Sequence, residues 1–241
     1  MPPTALKSDL FVPFSIEHFL PVFFFGIFTW WIIRNKNQWE LNTHHSFVLI
    51  VSVLLCLMML FKPFYRYYLG VFDPTKDFPF HLCNFLCLIY PLQAIYKKRW
   101  FFGVLYFWVL VGTFQAILTP DLQNQFPHPE YFRYWMEHCG LVMLVLHGLF
   151  VLDYKVYPKD LKNAMIGANL FLVFSLTVNY LTGGNYFYSV HKPENPSLLD
   201  WLGPWPWYLL TGQIVMLILF CIYYLPIHYR AKKYSRLSES A

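Results

Sequence analysis

Seven apolar stretches, separated by short polar connections, take up most of the chain. They cover residues 14–33, 44–61, 80–96, 100–118, 131–152, 164–180 and 207–225. Each is close to the roughly 20 residues an α-helix needs to cross about 30 Å of hydrocarbon. The runs are too long for strands and show no period-two alternation. The pattern therefore predicts an all-α polytopic bundle of seven transmembrane helices, a single transmembrane domain over residues 1–241. Glu17 lies near the start of the first stretch and no small-residue cleavage site follows it, which predicts a retained span rather than a removable leader.

The polar connections differ in sign. Alternate connections and the C-terminal tail hold 12 of the 18 Lys and Arg residues, among them Arg34, Lys97, Arg99, Lys155 and Arg230. The opposite side holds six of them and nine of the 13 acidic residues. Basic residues concentrate on the cytoplasmic side of membranes, so the C-terminus is expected in the cytoplasm and the N-terminus outside. Only an odd number of spans keeps this asymmetry. The longest connections, residues 121–130 and 181–206, are proline-rich and fall on the outer side, where they suit a lid over a site.

Composition agrees with this reading. The chain is 57% hydrophobic and 13% charged, against about 25% charged in soluble domains. A net charge of +5 is explained by basic loops at an anionic inner leaflet and calls for no nucleic-acid partner. The five cysteines all lie within apolar stretches, with no zinc spacing and no disulfide framework, so no metal or cofactor is expected. The histidines offer no opposed pair for a haem, and His44 is expected at the inner interface. The last stretch has no lysine for a retinal Schiff base.

The informative residues gather at the outer ends of the stretches. His81, Cys83 and Asn84 open the third, Asp121 follows the fourth, Glu137 and His138 lie early in the fifth, and Asn179 and Asn185 flank the end of the sixth. Ionisable groups within spans are costly and usually face a cavity. Pro79 suits a first helical turn. That places Cys83 near a helix start, where free N–H groups and the dipole suit an anionic sulfur acting as nucleophile. His81 lies two positions away, about 200° around a helix, so a base from another helix is needed. His138 enters from the same side. Asp121 or Glu137 is expected to orient its imidazole. Asn84 and Asn179 are expected to bind an oxyanion, and His81 and Asn185 to contribute to headgroup binding. Structural pairing of the same residues, or a Cys83–Cys139 disulfide, is the plainer alternative.

Several phrases occur together: Phe80-His-Leu-Cys-Asn84, Thr119-Pro-Asp121, Glu137-His138, Asn179-Tyr180, Gly183-Gly-Asn-Tyr186, and the run from Lys192-Pro through Leu199-Asp-Trp201 to Trp205-Pro206. In this order they resemble the YwaF-like integral membrane family, found in bacteria and represented in vertebrates by a multi-span acyltransferase. The resemblance covers residues 15–225. It implies a cysteine-centred enzyme that moves fatty acyl chains onto lysophospholipids, with the cysteine at Cys83 and the histidine at His138. The function expected is thus a lipid acyltransferase or lipid hydrolase in a bacterial cytoplasmic membrane, with a membrane phospholipid or lysophospholipid as ligand. The competing readings are a non-enzymatic lipid-binding protein and a small-solute transporter. The transporter reading lacks midplane polar groups and a visible repeat.

Overall fold

The computed structural model describes residues 10–239, with side chains through Tyr229. Seven long helices succeed one another: α1 (Ile16–Arg34), α2 (Leu41–Tyr68), α3 (Leu82–Tyr96), α4 (Arg99–Leu118), α5 (Pro129–Phe150), α6 (Pro158–Thr182) and α7 (Trp207–Glu239). Among the described residues there is no strand. An isolated antiparallel bridge joins Leu10 to Asn124.

The helix limits follow local chemistry. Proline opens both α5 and α6 at the first helical position, where its missing N–H costs nothing. The His128 ring accepts the Glu130 N–H at 3.1 Å, and the Asp160 carboxylate accepts the Tyr157 N–H at 2.8 Å. Gly183, at φ 73°, ends α6 in a left-handed conformation that closes its last turn. Polar turns at helix ends carry α2 and α6 beyond their apolar stretches, so both begin earlier than hydropathy implies.

Five of these helices, α1, α2, α4, α6 and the Trp207–Tyr229 part of α7, are long and apolar enough to cross a membrane. With 15 residues, α3 spans only about 22 Å. The 22-residue α5 carries Glu130, Arg133 and Glu137, which its position makes tolerable. Together with α4 it forms the middle of the bundle. Two thirds of the most apolar part of α4 is buried (67%), against 6% for α7. The outer helices leave Phe23, Leu54, Leu170 and Ile214 exposed, a surface suited to lipid rather than water.

Helix contacts use aromatic hydrogen bonds and close approaches at glycine. Trp108 Nε1 donates to Ala164 O at 2.9 Å, linking α4 to α6, and Tyr106 Oη donates to Tyr223 O at 2.8 Å, linking α4 to α7. A Cβ at Gly148 on α5 would lie 2.3 Å from the Phe102 ring of α4. Gly148→Ala is therefore expected to cost about 1–3 kcal/mol through overpacking. A lowered apparent melting temperature in detergent reads it out. Gly26→Ala, with nothing within 4 Å of the new methyl, should melt no lower than wild type.

Candidate functional site

The C-terminal ends of α2, α4 and α6 and the N-terminal ends of α3, α5 and α7 meet at one end of the bundle. There they enclose a cavity of about 700 Å³, roofed by the loop between α6 and α7. That volume falls within the usual range for small-ligand sites. Six of the residues singled out in the sequence line it: His81, Cys83, Asn84, Asp121, Glu137 and His138.

The start of α3 places three of them. His81 is the N-cap (φ −68°, ψ 148°), two residues after Pro79, so the proline lies ahead of the first turn rather than in it. The first helical bond runs from Phe85 N–H to His81 O at 2.9 Å. This leaves the N–H groups of Leu82, Cys83 and Asn84 without helical partners at the cavity end. Cys83 is the second residue of the helix. Its thiol is free, as are the other four cysteines, so no Cys83–Cys139 disulfide forms. The His81 ring packs against Tyr186 and Tyr188 at centroid separations of 5.6 and 5.1 Å. Asn84 Nδ2 donates to Met59 Sδ at 3.2 Å, a weak acceptor.

Facing α3, the backbone of α4 widens into a π-helical segment at Val109–Thr113. Such segments recur at functional sites. Gly112 within it admits the Leu82 side chain, which would come within 2.9 Å of a Cβ. This close fit presses the first turn of α3 onto α4.

His138 on α5 is held by its own helix. Its Nδ1 lies 2.7 Å from Tyr134 O. A carbonyl can only accept, so Nδ1 carries the proton and Nε2 keeps its lone pair, with no hydrogen-bond partner among the described residues. The Tyr134 ring stacks on the imidazole at 4.1 Å, and its hydroxyl is tied to Ala116 O at 2.7 Å. Neither Asp121 nor Glu137, one of which was expected to orient this ring, is hydrogen-bonded to it among the described residues. Asp121 instead accepts from Tyr188 Oη at 2.6 Å and Asn195 Nδ2 at 2.8 Å. Burial, and then the Asp121 charge, hold the Tyr188 phenol well above its ordinary pKa, so it remains a donor. Glu137, 1% exposed, accepts from Arg133 Nη1 at 3.2 Å through Oε2. Its Oε1 has no hydrogen-bond partner among the described residues. Arg133 is shared with Glu130 at 2.7 Å, and Glu130 also pairs with Lys62 at 3.2 Å.

Asn179 and Asn185 are not in the cavity wall. Asn179 is buried and fully used: its Nδ2 donates to Tyr186 O (2.9 Å) and Ser189 Oγ (2.8 Å), and its Oδ1 accepts Tyr186 N–H at 2.7 Å. Asn185 accepts the N–H groups of Val190 and His191, each at 3.1 Å. Both shape the loop, where their polar atoms are engaged by the chain itself rather than turned to the cavity, the place expected of them as ligand contacts. Arg133, Lys62, Tyr188 and Asn195 were missed as site residues. The i, i+4 spacing of Arg133 and Glu137 was the one available signal.

At the opposite end, His44 is buried. Its Nδ1 meets His147 Nε2 at 3.1 Å and its Nε2 meets Lys36 O at 2.9 Å. Direct contact of the two rings leaves no room for an iron between them. Among the described residues no group of three or more His, Cys, Asp or Glu is arranged to hold a metal ion.

The profile of the TMEM164 family matches residues 13–224, nearly the whole helical bundle and every residue of the cavity named above. The chain belongs to the TMEM164 family. A protein of Treponema pallidum (strain Nichols), named only "Uncharacterized protein", is 28% identical over 151 residues, 63% of this chain. The match spans 62% of that relative's length. No solved structure matches the chain. Family and helices together make this an integral membrane protein.

Proposed function

We propose that the protein transfers acyl chains between membrane lipids through a thioester on Cys83. The observation that carries this is the shared cavity of a free thiol at a helix start and a histidine whose Nδ1 is occupied and whose Nε2 is free. The resemblance to the YwaF-like family and its vertebrate acyltransferase supports the same roles. The chain is read as one transmembrane domain of seven spans, N-terminus outside and cavity at the outer face, in a bacterial cytoplasmic membrane.

In the first half-reaction His138 Nε2 takes the thiol proton and the Cys83 sulfur attacks an ester carbonyl. The tetrahedral oxyanion is met by the free N–H groups of the α3 first turn and by the Asn84 amide. When the C–O bond breaks, the His138 proton goes to the leaving alkoxide, leaving the acyl group on sulfur. A hydroxyl then takes the acyl group and sulfur recovers a proton. The apolar wall formed by Val111, Ala168, Leu172 and Met216 leads between α4, α6 and α7 and suits the hydrocarbon tail. Tyr134 acts as a positioning residue through the imidazole.

The test is labelling of purified protein with a cysteine-directed acyl probe. Wild type should label at Cys83 and Cys83→Ala should not. His138→Ala should label slower by about 10²-fold or more, and added phospholipid should compete. Labelling elsewhere, or labelling indifferent to His138, would leave the cavity as a lipid-binding site without acyl chemistry.

A further inference from the structure

The carboxylate of Glu137 is left over from this scheme. It is not hydrogen-bonded to His138, it is 1% exposed, and one of its oxygens has no hydrogen-bond partner among the described residues while the residue lines the cavity. A buried oxygen in that state is costly unless something outside the protein's own donors satisfies it. Arg133 holds only Oε2, and does so from its own helix one turn earlier, which fixes the carboxylate so that Oε1 stays free. Arg133 is itself fixed by Glu130 through two nitrogens, each 2.7 Å from Oε2. The result is a carboxylate oxygen with no donor among the described residues, on a side chain that lines the same cavity as Cys83.

We infer that Glu137 Oε1 is the seat of the acyl acceptor, receiving the hydrogen bond of its free hydroxyl. This rests on reading the site as an acyl-transfer centre, and it assigns the second half-reaction. The hydroxyl oxygen attacks the thioester carbonyl while its proton passes to Glu137. The new C–O bond forms, the C–S bond breaks, sulfur leaves with the electron pair, and the proton returns from the carboxylate to sulfur. His138 thus serves acylation and Glu137 serves transfer. The acceptor is a lipid that offers a free hydroxyl to this oxygen.

Binding tests this without requiring turnover. Full-length Cys83→Ala protein in detergent is titrated with 1-acyl-lysophosphatidylcholine and with the analogue lacking the 2-hydroxyl. The choline head has no N–H, so the hydroxyl is the donor that distinguishes the two. A hydrogen bond to a charged acceptor predicts about tenfold tighter binding of the hydroxyl lipid. In Cys83→Ala/Glu137→Leu that preference should vanish while the analogue binds as before. Arg133 keeps Glu130 in this variant. If the leucine protein loses both lipids, Glu137→Gln is read instead, where a preference equal to that with Glu137 overturns the assignment. So does equal affinity for the two lipids in Cys83→Ala, or a preference that survives leucine. With Cys83 intact, Glu137→Gln should accumulate the acyl-enzyme that wild type turns over. Absence of any acyl-enzyme in wild type sinks the thioester reading instead, and the two failures are told apart.

Discussion

Asp160→Ala is expected to destabilise the bundle by about 3–5 kcal/mol, the cost of breaking a buried ion pair from one side. Asp160 has no exposed surface and receives both Nη atoms of Arg99, one of them at 2.9 Å, together with the Tyr157 N–H. One carboxylate thereby joins the first residue of α4 to the first turn of α6. Gly103, one turn along α4, leaves the space it occupies, because a Cβ there would fall 2.4 Å from Asp160 Cγ. Alanine at 160 removes the N-terminal cap of α6 and leaves the Arg99 guanidinium, 29% exposed, facing a void. The apparent melting temperature in detergent should fall on the order of 10 °C. Asp160→Asn keeps a cap acceptor but not the charge and should lose less. Lys155→Ala breaks a pair in which both side chains are open to solvent (59% and 66%) and should melt with wild type. Equal shifts for Asp160→Ala and Lys155→Ala would refute the argument from burial.

That pair also shows what hydropathy conveys and what it omits. The apolar runs give the all-helical class and the order of the helices because a buried or lipid-facing helix has no other way to look in sequence. They say nothing of Arg99 and Asp160, 61 residues apart, whose charges read as ordinary cytoplasmic loop residues. The candidate site was legible in the same limited way. A cysteine, a histidine and a glutamate inside apolar runs stand out because they are expensive there, and all three line one cavity. Partner choice was not legible. The imidazole is oriented by the carbonyl four residues earlier, a group every residue has, so no side-chain pattern announces it. Asn179 resembles a ligand contact until the turn after Gly183 folds Tyr186 and Ser189 back onto its amide. The π-helical segment of α4 leaves no periodic trace in five residues.

Asp121→Ala is expected to free the half of the α6–α7 loop that covers the cavity. The carboxylate follows α4 by three residues and holds two loop side chains, Tyr188 at 2.6 Å and Asn195 at 2.8 Å. Hydrogen bonds to a charged acceptor contribute about 1.5–3 kcal/mol each, so losing both should raise local opening by on the order of 10²-fold or more. Hydrogen exchange over residues 188–199 reads this directly. The segment before it should change little. There Tyr186 Oη donates to Pro74 O at 2.9 Å and accepts Phe78 N–H at 3.0 Å, and Asn179 holds the turn from below. Tyr188→Phe, which removes one bond of the two, should give about half the logarithmic effect. The strap is not a sensor of neutral pH. Burial and the Asp121 charge raise the Tyr188 phenol above its unfolded value, so its contribution is complete below about pH 10 and is lost only as pH rises past it. If the loop of Asp121→Ala exchanges no faster than that of wild type, then Tyr186 and the Tyr208 hydroxyl, 2.6 Å from Tyr188 O, hold the roof alone. Asp121 would in that case be a carboxylate facing the cavity with no structural task, and a ligand contact for it would have to be sought.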